Sequence, residues 1–127
     1  MKIIAIDDEP LAREMLVEAI TEATEGDAEI TAFAKPSALL TYARDHQVEI
    51  AFLDISMRGM TGVDLAKAMK ALIPAVNIIF VTGYDDYTGD AMALHASGYI
   101  MKPVTADKVK KNWPIFGIRF PRQNRRY

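Results

Sequence analysis

Residues with reactive side chains follow four apolar, strand-like segments of the chain. They are Asp7 and Asp8 after residues 2–6, Asp54 after 49–53, Thr82 after 77–81 and Lys102 after 98–101. A carboxylate at the end of a buried strand is costly unless a partner compensates its charge. In an open α/β sheet, ligands bind at the carboxyl ends of the strands. We therefore expect three carboxylates, a hydroxyl and an ammonium group to converge.

The three carboxylates predict a magnesium site. Clustered carboxylates repel one another, and a small divalent cation with oxygen ligands relieves that repulsion. We expect Asp8 and Asp54 to be direct ligands and Asp7 to act through a water molecule. The backbone carbonyl of Ser56 is the fourth candidate ligand.

Such a site suits phosphoryl transfer, because a carboxylate beside Mg²⁺ can attack phosphorus and form an aspartyl phosphate. We expect Asp54 to be the nucleophile and Lys102 to be a cation for the phosphoryl oxygens. Thr82 offers a hydroxyl donor to the same group. We also predict a cis Lys102–Pro103 peptide bond. Each feature alone has an ordinary explanation as a turn or a strand end, so the prediction rests on their joint occurrence.

The elements that position these residues alternate between strand-like and helix-like segments, which predicts βαβ units and a parallel sheet. The predicted strands are 2–6, 28–33, 49–53, 77–81 and 98–101, and the predicted helices are 9–20, 36–45, 62–71, 87–96 and a last one from about 105. The buried stripe of the first helix is predicted to be Leu11, Met15, Leu16, Ala19 and Ile20. Right-handed crossovers favour an α/β, flavodoxin-like doubly wound sheet of order 2-1-3-4-5. That order places the first and third strands side by side.

Composition restricts the class of protein. The 127 residues predict one domain, and half of them are apolar. Cysteine is absent, which excludes disulfides and thiolate metal sites. Zinc is a poor candidate, because the two histidines, His46 and His95, lie in helix-like segments. With no signal-peptide pattern and no long apolar run, we expect a soluble, cytoplasmic protein.

The matching residues of a known family are Asp7-Asp8, Asp54, Thr82-Gly83, Tyr99 and Lys102-Pro103. In these residues, and over about residues 1–110, the chain resembles the response-regulator receiver domain of two-component signalling. The resemblance implies that Asp54 accepts phosphate from a sensor histidine kinase. It also implies that Thr82 and Tyr99 form a switch pair, and that the protein is not an enzyme beyond its own phosphorylation and dephosphorylation.

The stretch 81–87 is similar to receivers of regulators that carry LytTR-type DNA-binding domains, which implies a role in transcription regulation through an output domain. Two positions depart from the family pattern. Arg58 stands where receivers usually carry proline, and Pro114 stops the last helix after about two turns. We therefore predict a receiver domain over residues 1–112, with a shortened last helix, and an atypical tail over 113–127.

The tail has three competing explanations: a linker stub to an output domain, an aberrant end, or a segment exchanged with a second copy. The last explanation predicts a homodimer through the last helix and the tail. Residues 105–127 hold seven Lys and Arg against one acidic residue. This basic tail predicts non-specific nucleic-acid contact as the third candidate function. The runner-up is an aspartate-nucleophile phosphatase resembling haloacid dehalogenases, although Pro10 stands where those enzymes carry a second aspartate.

Overall fold

The computed structural model describes residues 1–83 and 96–113, which form five strands and four helices. The strands are β1 (Lys2–Ile6), β2 (Glu29–Phe33), β3 (Ile50–Asp54), β4 (Asn77–Thr82) and β5 (Gly98–Met101). The helices are α1 (Pro10–Ala23), α2 (Pro36–Asp45), α3 (Gly62–Leu72) and α4 (Ala106–Lys111). The helix predicted over 87–96 lies outside the described residues except for Ala96.

The strands form one parallel sheet in the order β2-β1-β3-β4-β5. The predicted flavodoxin-like order is confirmed. Strand β3 lies at the centre of this sheet, and all five of its residues are buried. A central parallel strand is covered on both faces, so an uninterrupted apolar sequence such as Ile50–Leu53 suits it.

Helices cover both faces of the sheet, and successive residues of each strand point to opposite faces. Along β1, Ile4 and Ile6 pack towards α2 and α3, whereas Ile3 and Ala5 pack towards α1 and α4. The resulting two apolar clusters hold the sheet edge that carries the candidate site in a fixed place.

Helix α1 corrects one prediction from the sequence. Its buried residues are Leu16, Ala19, Ile20 and Ala23, whereas Leu11 is 67% exposed and Met15 is 42% exposed. The buried residues follow the i, i+3, i+4, i+7 spacing of a single helical stripe. Leu11 and Met15 precede that stripe by one residue per turn, about 100° around the helix, so the sheet does not cover them.

The remaining described helices begin and end close to their predicted limits. Thr61 caps α3 and Thr105 caps α4, each through its side-chain hydroxyl. Helix α4 is only six residues long, in agreement with the predicted short last helix. Trp113 follows it and packs in the cluster beneath α1 and α4. The division after residue 112 stays a prediction, and residues 114–127 lie outside the described part. Within residues 1–83 and 96–113, no helix combines the length and the apolar character needed to cross a bilayer.

Candidate functional site

The acidic side chains of the site come from two neighbouring strands. The parallel register pairs Ile6 with Leu53. Asp7 and Asp54 are the residues that come next along these two strands, so they lie side by side at the carboxyl edge of the sheet. Each is only 1% exposed. The sheet order therefore brings together two carboxylates that are 47 positions apart in sequence.

Asp8 completes the predicted cluster. One carboxylate oxygen from each of Asp7, Asp8 and Asp54 lies within 4.8 Å of the others. The Asp8 side chain is 28% exposed, which makes it the most accessible of the three. The predicted convergence of the carboxylates is thus what the structure shows.

Lys102 reaches this cluster from the end of β5. Its Nζ lies 3.2 Å from Asp7 Oδ2 and 3.4 Å from Asp54 Oδ2. Its backbone N–H donates to the Thr82 carbonyl at 2.9 Å, which ties its position to the end of β4. The Lys102–Pro103 peptide bond is cis, as predicted. Lys102 therefore compensates two buried carboxylates at once.

Backbone N–H groups also hold each carboxylate. Glu9 N–H donates to Asp7 Oδ1 at 2.9 Å, and Ser56 N–H donates to Asp54 Oδ1 at 3.2 Å. Arg58 N–H donates to Asp8 Oδ2 at 3.1 Å. Hydrogen bonds of this kind stabilise the ionised form of a carboxylate.

The pKa values of Asp54 and Lys102 are both shifted by their surroundings. Burial and then the charge of Asp7 raise the pKa of Asp54 from 3.8 to about 6, although Lys102 and the Ser56 N–H act in the opposite direction. Burial lowers the pKa of Lys102, but Asp54 and Asp7 outweigh burial, so the net change in that pKa is upward. The lysine therefore remains an ammonium ion at neutral pH, while Asp54 is a carboxylate that an added cation would stabilise further.

The predicted switch residues lie in the two neighbouring strands, Thr82 at the end of β4 and Tyr99 within β5. Thr82 is buried, and its hydroxyl donates to the Gly83 carbonyl at 3.0 Å. Tyr99 is half-buried and stacks on Phe80 with ring centroids 5.8 Å apart. The Thr82 hydroxyl thus donates to a backbone carbonyl at the end of β4. The role of the Ser56 carbonyl stays a prediction.

Two contacts of the site were not predicted from the sequence. A Cβ on Gly62 would overlap the Asp54 carbonyl oxygen, so only glycine allows α3 to begin directly against the end of β3. The Thr61-Gly62 pair before a helix was the available signal. Arg13 Nη1 donates to the Asp7 carbonyl at 3.0 Å, which ties α1 to the end of β1.

The donor set fits a small, hard divalent cation. Three carboxylates offer only oxygen ligands, and two of them are buried without enough positive charge from Lys102 to balance the cluster. Imidazole is not part of the described set: His46 lies at the end of α2, stacked on Tyr42 at 3.8 Å. His95 lies outside the described residues.

A family model described as "Response regulator receiver domain" matches residues 3–113. The chain belongs to this family. The phosphoryl-accepting switch of two-component signalling, predicted from the sequence, agrees with that membership.

Curated relatives place the receiver domain among longer regulators. It is 31% identical to the sensory transduction protein LytT of Enterococcus faecalis, over 86% of this chain and 45% of that protein. It is 32% identical to the transcriptional regulatory protein LytR of Staphylococcus aureus, over 87% of this chain and 45% of that protein. The chain thus spans slightly less than half the length of these relatives.

Solved structures share the fold. The receiver domain of AraT, a response regulator from Geobacillus stearothermophilus, has a TM-score of 0.74 at 29% identity and covers 87% of both chains. The response regulator TrrA from Thermotoga maritima, solved in complex with Mg²⁺–BeF, has a TM-score of 0.73 at 29% identity, covering 87% of this chain and 93% of that one.

Proposed function

We propose that Asp54 is the phosphoacceptor of this receiver domain and that Mg²⁺ binds beside it. The observation that carries the proposal is the position of Asp54. It is buried within 4.8 Å of two other carboxylate oxygens and lies 3.4 Å from an ammonium group. This arrangement joins a nucleophile, an acidic metal site and a cation for phosphoryl oxygens.

Asp8 and Asp54 are the proposed direct metal ligands, and Asp7 is the residue that holds Lys102. Bound Mg²⁺ would neutralise charge on the transferring phosphoryl group. An Asp54 carboxylate oxygen forms the new bond to phosphorus, while the bond from phosphorus to the donor's leaving atom breaks and its electron pair departs with that atom. Lys102 then exchanges its contact with Asp54 Oδ2 for the new phosphoryl oxygens.

The switch follows from the added charge. A phosphoryl group brings about −1.5 to −2 charges and three acceptor oxygens. The Thr82 hydroxyl, now bonded to the Gly83 carbonyl, can turn to donate to one of these oxygens. Tyr99, which stacks on Phe80 two residues before Thr82, is the proposed second residue of the switch. The phosphoryl group selects the new arrangement only through such differential contacts.

Membership in the family suggests both the source of the phosphoryl group and the protein that responds to the switch. A sensor histidine kinase would supply the phosphoryl group, and an output domain or a partner protein would detect the switched surface. The relatives named as transcriptional regulators favour an output that controls transcription, with contact to DNA through that output. Under this proposal the chain turns over no substrate other than its own aspartyl phosphate. Association through the last helix and the tail remains a prediction that light scattering would test.

Incubation with Mg²⁺ and a small acyl-phosphate donor tests the assignment directly. Intact-mass measurement should show one added phosphoryl group on the wild type and none on Asp54→Asn. Asp45→Asn is the matched control, because Asp45 is exposed at the end of α2. Full labelling of Asp54→Asn would reject Asp54 as the acceptor.

A further inference from the structure

Asp8 differs from the other two carboxylates in the cation that holds it. Lys102 contacts Asp7 and Asp54, whereas the Asp8 carboxylate meets Arg58. Arg58 makes two contacts with the same oxygen. Its backbone N–H lies 3.1 Å from Asp8 Oδ2, and its guanidinium Nε lies 3.8 Å from that atom. Each carboxylate of the cluster therefore has a cation from this chain beside it.

We propose that the Arg58 guanidinium is an internal competitor for the divalent cation at Asp8. This inference rests on the proposed magnesium site and names the residue that sets its affinity. The Asp8 oxygen that Arg58 contacts belongs to the most open carboxylate of the cluster. A cation that binds this oxygen must meet the guanidinium charge or displace it.

The two contacts of Arg58 have separate consequences. The backbone N–H belongs to the loop after β3 and donates to the Asp8 carboxylate whatever side chain stands at position 58, proline excepted. A proline at this position would lack that donor. The guanidinium lies at the end of a side chain that is 96% exposed, so it can leave without disturbing the core. The Arg58 side chain therefore competes with the cation, and the Arg58 backbone N–H orients the Asp8 carboxylate.

The size of the effect follows from exposure. An ion pair between exposed groups contributes little, so removal of the guanidinium should raise metal affinity about two- to fivefold. Salt screens exposed charges over about 10 Å at an ionic strength of about 0.1 M, so the gain should shrink as salt is added. A buried competitor would show a larger and salt-insensitive gain.

Binding of Mn²⁺ alone, followed by the electron paramagnetic resonance signal of the free ion, measures the affinity without any phosphorylation. Arg58→Ala, which keeps the backbone N–H, should bind Mn²⁺ about two- to fivefold more tightly than the wild type at low ionic strength. Arg58→Lys, which keeps the charge, should bind close to the wild type. Arg44→Ala removes the same side chain from an exposed site on α2 and controls for net charge.

Two results would overturn the proposal. The first is an Arg58→Ala affinity equal to or below that of the wild type. The second is an equal gain in Arg44→Ala, which would make the effect one of net charge. Asp8→Asn separates this inference from the metal site itself. If the wild type and Asp8→Asn bind Mn²⁺ equally, both the proposed metal site and the proposed competition by Arg58 are wrong. If only the Arg58 variants fail to respond, the metal site stands without the competitor.

Discussion

The acidic half of the site and its cation half are held in different ways. Asp7 directly follows β1 and Asp54 is the last residue of the adjacent strand β3. Both are almost fully buried and accept hydrogen bonds from backbone N–H groups two residues further along. Lys102 extends from beyond an edge strand, and its side chain is 32% exposed. The Thr82 hydroxyl, at the end of β4, donates to a backbone carbonyl rather than to the carboxylates.

This difference indicates that the backbone holds the carboxylate of the proposed acceptor, whereas the groups proposed to respond to it are held by side-chain contacts. Backbone donors fix the acidic half because the strand positions fix the backbone. The Lys102 backbone is tied to the Thr82 carbonyl, but its ammonium group lies at the end of a partly exposed side chain and meets the carboxylates through ion-pair contacts. The Thr82 hydroxyl donates to the Gly83 carbonyl and makes no described contact with the carboxylates. In such a site the proposed nucleophile, Asp54, keeps its position, whereas the side chains of Lys102 and Thr82 can change partners when the phosphoryl group is added.

The packing beneath the acidic half should be the least tolerant of change. Gly62→Ala places a Cβ against the Asp54 carbonyl and should reduce the free energy of unfolding by about 3 kcal/mol in a urea titration. Gly59→Ala is the control. Its Cβ would meet no atom within 4 Å, and its φ of +80° should cost only about 1 kcal/mol. Equal losses in both variants would show that the contact with β3 is unimportant.

Removal of the central cation should affect chemistry more than folding. Lys102→Ala should lower the rate of labelling by an acyl phosphate about a hundredfold, because the positive charge proposed to lie opposite the phosphoryl oxygens is lost. Lys67→Ala removes an exposed lysine of α3 and should label normally. Near-normal labelling of Lys102→Ala would mean that the cation half contributes nothing to the transfer.

The raised pKa of Asp54 predicts a particular pH dependence of stability without metal. Because this carboxyl titrates near 3.8 when unfolded and about 6 when folded, the native state binds more protons between these values. Stability should therefore fall as pH rises through that window, by roughly 2 kcal/mol from this group. Urea titrations of the wild type and Asp54→Asn from pH 4 to 7 isolate the effect. Its absence from the difference between the two curves would show that Asp54 is not strained by burial.

Addition of Mg²⁺ should change the stability measured in the same urea titrations. A cation bound at the cluster favours ionised Asp54, so millimolar Mg²⁺ should raise the stability of the wild type at pH 7 and flatten its pH dependence. Asp8→Asn should lose most of this response. An identical response in both proteins would place the ion elsewhere.

The smallest expected effect concerns the loop that carries Lys102. Lys108 Nζ donates to the carbonyls of Met101 and Pro103, at 3.0 Å each. Lys108→Met should slow labelling about two- to threefold, since exposed hydrogen bonds of this kind contribute about 1 kcal/mol or less. Lys110→Met is the matched change on the exposed side of the same helix. A slowing shared by both variants would point to net charge instead of loop position.

Most of the fold followed from the alternation of apolar strands and amphipathic helices. The apolar residues of α3, which are Val63, Leu65, Ala66 and Met69, are all buried, as expected for an amphipathic helix on the sheet. The stripe of α1 was partly wrong at Leu11 and Met15. Apolar residues occur on more of that helix than the sheet can cover, and only packing decides which of them it covers.

Part of the candidate site was likewise predicted from the sequence, and part was not. The residue types and their positions after strands were enough to predict that Asp7, Asp8, Asp54 and Lys102 meet, because parallel strands bring their carboxyl ends to one edge. The close approach at Gly62 and the pairing of Arg58 with Asp8 were beyond prediction. They depend on distances between segments whose separation no local pattern encodes.

By itself, the order of residues along this chain determined the sheet, its strand sequence and the identity of the charged groups at one edge. Periodicity and strand-end position are local properties, and a single sequence carries them. Only the tertiary structure decided which cation faces which carboxylate, which carbonyl accepts from the Thr82 hydroxyl, and which apolar side chains of α1 stay exposed. Those outcomes depend on packing and on the contacts between residues that are distant in sequence, which no local pattern records.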